Sequence, residues 1–97
     1  MFDITDGQGF HIKFANGWTV SVQIGKGNYC DNRHKPNFGY CGPSNTAETA
    51  VWGPDGAFVR LPQSVLGEDS YSDDVQGYMS PDNVLKILNW TAAQAAQ

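Results

Sequence analysis

The chain has 97 residues, 40% of them hydrophobic, with ten acids against six bases and a formal net charge of −4. Its mean hydropathy is −0.42. This length makes one domain, residues 1–97, because two halves would each be too small to hold a core. Without a basic face to track phosphates, or an apolar run long enough for a membrane span or signal core, neither nucleic acid nor a membrane is an expected partner, and the default location is cytoplasmic.

Aromatic residues compensate for the modest aliphatic content: three Trp, four Tyr and five Phe supply large apolar surfaces. Eleven Gly and five Pro favour tight turns and short strands over a helical bundle.

The clearest local signal lies near the start. Phe10, Ile12 and Phe14 alternate with His11, Lys13 and Ala15; after Asn16-Gly17, Trp18, Val20, Val22 and Ile24 alternate with Thr19, Ser21 and Gln23. Period-2 stretches joined by Asn-Gly predict an antiparallel hairpin, 9–15 with 18–25, closed by a two-residue type I′ turn. Gly25-Lys26-Gly27 lacks the spacing of a phosphate loop and reads as a strand end that turns sharply.

Residues 25–46 show neither strand nor helix periodicity, yet carry Tyr29, Phe38 and Tyr40 among Gly, Pro and Asn. A connection this long inside a small domain is often functional. Next, 47–52 leads into the turn Gly53-Pro54-Asp55-Gly56 and a return over 57–61, predicting a second hairpin. Residues 62–80 contain Glu68, Asp69, Asp73 and Asp74 and no Lys or Arg, which reads as a solvated acidic loop. Residues 75–78 form a candidate edge strand.

The C-terminal segment predicts a helix. Ser80 is an N-cap type, Pro81 suits the first helical position, and Asp82 complements the positive end of the helix dipole. Val84, Leu85, Ile87, Leu88 and Thr91 make an apolar stripe, with Asn83, Lys86 and Asn89 outside it; the Ala-Gln tail is expected to continue the helix and fray. The expected architecture is therefore α+β, an antiparallel meander of four or five strands with one C-terminal helix packed on it.

Chemistry is sparse. Cys30, His34 and Cys41 share the long loop, but no Cys-x-x-Cys pair accompanies them, so reduced thiols and no metal or other cofactor are expected. No nucleophile, base and orienting carboxylate fall together, which argues against an enzyme. The segment Asn28-Tyr29-Cys30-Asp31-Asn32-Arg33 is different. Within six residues it offers an aromatic plane, two amides, a carboxylate and a guanidinium, a set able to stack a base, read its edge and pair a phosphate. The candidate ligand-binding residues are Asn28, Tyr29, Asp31, Asn32 and Arg33, completed by Trp52 and Arg60 from the second hairpin. In the bland alternative Tyr29 plugs the core and Asp31 pairs with Arg33.

The run from Phe14 to Gln23, continuing over Gly27–Asp31, resembles the opening of small accessory proteins of tailed phages and prophages. Those proteins are similar in layout too: an Ala-Glu-Thr-Ala-Val-Trp strand (here 47–52), a Pro-Asp-Gly turn, and a Gly-Tyr-x-Ser-Pro-Asp step (here 77–82) into a closing helix. The resemblance implies a role in inhibiting host defence in the infected bacterial cytoplasm. One expectation is a homo-oligomeric sponge that sequesters a small nucleotide immune signal at a subunit interface. A second is a protein-interaction inhibitor of a host effector complex, and a small hydrolase is a distant third.

Overall fold

In the computed structural model, which describes residues 1–6, 8–34, 42–67 and 70–96, the two stretches flanking Asn16-Gly17 form adjacent antiparallel strands. The elements in chain order are β1 (Phe2–Thr5), β2 (Gly9–Lys13), β3 (Thr19–Gln23), β4 (Ala47–Trp52), α1 (Gln63–Leu66), β5 (Val75–Met79) and α2 (Pro81–Ala92). The strands make one antiparallel five-stranded sheet in sequence order, with α2 packed against it. The α+β architecture is thus the expected one. Among the described residues no helix is long and apolar enough to cross a membrane.

Register explains which side is buried. Val20 stands opposite both Ile12 and Val51, so these side chains share a face, and α2 lies on that face with Ile87 fully enclosed. Trp18, Leu61, Leu66 and Met79 complete the core. Enclosing Val20, Val51 and Ile87 contributes about 1.5–3 kcal/mol each. Ser80 caps α2 as its sequence implies, accepting from Asn83 N at 3.2 Å, with Pro81 at the first helical position.

Four sequence expectations need correction. The first turn is not a two-residue type I′ turn. Gly17 N donates to Phe14 O at 3.0 Å, Phe14 N donates to Trp18 O at 2.9 Å, and Gly17 takes φ 88°. That is a three-residue loop, Ala15 to Gly17, with glycine in the left-handed position.

The second hairpin closes at its turn, where Gly53 N donates to Ala57 O, but its return is not a strand. Only the Trp52–Phe58 bridge and the Val59 N to Val51 O bond persist, because β5 occupies the rest of that edge of β4. Leu85, placed in the buried stripe by its spacing, is 56% exposed.

The tail does not prolong the helix, which ends at Ala92. Instead its carbonyls are held by the first hairpin. Asn16 Nδ2 donates to Thr91 O and Gln94 O, each at 2.9 Å, and Trp18 Nε1 donates to Ala95 O at 3.1 Å. These bonds satisfy acceptors that a helix end leaves open. They also fix α2 across the sheet.

Candidate functional site

The loop after β3 is organised by one buried amide. Asn32, 2% exposed, accepts from Gly25 N at 2.7 Å and from Cys30 Sγ at 3.1 Å through Oδ1, while Nδ2 donates to Gly42 O and Pro43 O at 3.3 Å. Asn28 Nδ2 donates back to Ile24 O at 2.9 Å. Both amides proposed for reading a ligand are therefore employed in shaping the loop. Cys30 is a buried thiol within it, while Cys41, expected to be reduced, lies outside the described residues, as do Phe38 and Tyr40.

The loop then docks on the sheet. Tyr29 N donates to Glu48 Oε2 at 2.7 Å, Asp31 N donates to Thr46 Oγ1 at 2.9 Å, and Tyr78 N donates to Tyr29 O at 2.9 Å. The last bond is possible because β5 bulges. Ala47 pairs with Met79 but Thr49 with Gln76, so Gly77 and Tyr78 share the space opposite Glu48, and Tyr78 takes φ 55°. Bulges redirect side chains in this way. Gly77 is required by contact: a Cβ built there would stand 2.7 Å from Tyr29 Cβ.

The result is a groove of about 460 Å³ whose lining includes Tyr29, Tyr71, Tyr78 and Asp73. These tyrosines are 51%, 91% and 50% exposed, far from the core position that the bland reading gave Tyr29. The Arg33 guanidinium lies 4.8 Å from the Tyr29 ring centroid, a cation–π geometry, so Arg33 is matched with Tyr29 and not with Asp31. Gln76, 5% exposed, builds the far wall: its Oε1 accepts from Asp73 N at 2.5 Å and its Nε2 donates to Tyr71 O at 2.7 Å. Two buried amides, Asn32 and Gln76, thus set one wall each.

The remaining two candidates stand apart. Trp52 lies four residues beyond Glu48 on β4, about 13 Å along the strand, edge-on to His11 at 5.0 Å and Phe58 at 6.0 Å. Arg60 pairs with Asp74 at 3.4 Å and Asp73 at 3.9 Å. It adjoins the groove only from behind Asp73. Sequence reasoning missed Tyr71, Tyr78 and Gln76. An aromatic in the polar run Ser70-Tyr71-Ser72 was the available signal, since a loop tyrosine without apolar neighbours has little core to join.

No family model, curated protein or solved structure matches the chain.

Proposed function

We propose that this chain is a non-enzymatic binding module whose tyrosine groove docks on a basic patch of another protein. The observation that carries the reading is that Tyr29, Tyr71 and Tyr78, three of the four tyrosines, line one groove with Asp73 and are each exposed by half or more. Tyrosine gives large, stiff contact area with a polar tip, and carboxylates at the rim favour a cationic partner. Asp31 and Asp74, both exposed, add to that rim. The resemblance to phage accessory proteins makes a host defence protein the natural partner.

A second reading keeps the small nucleotide signal, and the Arg33–Tyr29 stack favours it, since a guanidinium beside an aromatic plane can hold a phosphate next to a stacked base. With Asn28 and Asn32 spent inside the loop, that reading lacks groups to identify the base. Protein docking is therefore preferred.

The test is a quantitative comparison of proteins captured from a bacterial lysate by the wild type, Tyr71→Ala and Lys86→Ala. A partner lost with Tyr71→Ala or at high salt, but kept by Lys86→Ala, supports docking through the groove. Identical capture by all three overturns it. Intact nucleotide released on heating the purified wild type, and absent from Arg33→Ala, transfers the assignment to the nucleotide reading.

A further inference from the structure

We infer that the β1 edge is a self-association surface whose occupant is a second copy of this chain. β1 ends the sheet order. Its inward bonds fall on odd residues: Lys13 N donates to Met1 O at 2.8 Å and Gln8 N to Thr5 O at 2.9 Å. Alternation along an antiparallel strand then turns the backbone N–H and C=O of Phe2 and Ile4 outward. The side chains of the same two residues are each 73% exposed. An edge bearing large apolar groups and no Lys or Pro is one that invites pairing.

These side chains belong to a wider patch. Phe2 pairs with Ile12 and Ile4 with Phe10, which places them on the face that carries α2. The helix packs chiefly on β3, β4 and β5, leaving this end of the face without a cover. Between helix and strands runs an apolar groove of about 310 Å³ lined by Phe10, Val22, Ile24, Leu85 and Leu88. Met1 and Leu85, 75% and 56% exposed, extend the patch on either side. Together Met1, Phe2, Ile4 and Leu85 offer roughly 500 Å² of apolar surface, as much as the largest patch of a typical monomer. With the strand backbone and groove rim added, the area reaches the ~800 Å² per partner of a stable interface.

The occupant follows from what must be satisfied. Lipid would cover the side chains but leave the outward N–H and C=O groups of Phe2 and Ile4 without partners, whereas another strand satisfies both. Two copies of β1 related by a two-fold axis do so reciprocally and keep both apolar faces on one side of a ten-stranded sheet. An axis through Asp3 would set two carboxylates opposite each other, which is destabilising. An axis through Ile4 instead sets Asp3 of each copy opposite Thr5 of the other. The structure therefore favours the Ile4-centred register. This inference does not rest on the tyrosine groove, which lies at the opposite edge of the sheet, four strand spacings or about 19 Å away.

Sedimentation equilibrium of the full chain across a wide concentration range tests it. The wild type should be a dimer, and Ile4→Lys should raise the dimer Kd by about 100-fold, the loss typical of a central interface residue. Phe2→Lys should act similarly, and Tyr71→Ala should dimerise as the wild type does. Far-UV circular dichroism of dilute Ile4→Lys should match the dilute wild type, since the residue is exposed in the monomer. A wild type that stays monomeric throughout overturns the inference, as does a dimer insensitive to both lysine substitutions. So does a monomer that binds zwitterionic phospholipid vesicles through Phe2 and Ile4.

Discussion

Asn32 Oδ1 accepts the backbone N–H of Gly25 at 2.7 Å, seven residues back along the chain, and this buried bond closes the loop that presents Tyr29. Replacing Asn32 with Ala leaves the Gly25 N–H buried without that acceptor, a cost of about 1–3 kcal/mol. The expected fall in melting temperature is several degrees or more, given about 4–8 °C per kcal/mol for a domain of this size. Cys30 provides a second readout. Its thiol, 0% exposed in the native fold, should resist a thiol reagent in the wild type and react in Asn32→Ala. Unchanged melting and unchanged thiol protection would show that the loop closes without this amide.

Asn16 links the first hairpin to the end of α2. Its Nδ2 donates to two carbonyls at 2.9 Å while Oδ1 accepts from Trp18 N at 3.0 Å. Asn16→Asp keeps the acceptor but turns a carboxylate toward the Thr91 and Gln94 carbonyls, so it should destabilise by about 1–3 kcal/mol, at least as much as Asn16→Ala. Urea unfolding of the three proteins measures this. Wild-type stability in Asn16→Asp would mean that the tail is not held by this side chain.

Gly77→Ala would place a methyl 2.7 Å from Tyr29 Cβ, closer than two carbons approach without displacement. The loop must retreat, and the Tyr78 N–H to Tyr29 O bond should break. Amide exchange at Tyr78 should accelerate while the Val20 and Val22 amides, in the centre of the sheet, keep their protection. Slow exchange at Tyr78 in the variant would contradict the packing of Tyr29 on β5.

The parts of the fold that local rules govern were legible in the sequence. Alternation placed β2, β3 and β4, and Ser80-Pro81-Asp82 marked the start of α2. β1 was legible but overlooked: Phe2 and Ile4 alternate with Asp3 and Thr5 before Asp6-Gly7, the same kind of turn signal as Asn16-Gly17. What failed depended on distant partners. Asn-Gly suits two loop lengths, and the choice follows Phe14 pairing with Trp18 and Asn16 reaching α2, which no short window contains. The same holds at the site. Tyr29 and Arg33 were found as a local cluster, but Tyr71 and Tyr78 join them only through a bulge in β5 and a buried Gln76. Asn28 and Asn32 looked like free recognition groups because sequence does not reveal which backbone atoms a loop must satisfy.

The tie between Asn16 and the end of α2 also governs when the fold can be completed. Its bonds span 75 and 78 residues. During synthesis β2, β3 and their connecting loop emerge early, yet the groups that hold Asn16 and Trp18 are among the last to be made. Forming contacts so far apart requires closing most of the chain, and non-local pairing of this kind slows folding. The hairpin that dominates the sequence is therefore a scaffold that waits for its lock.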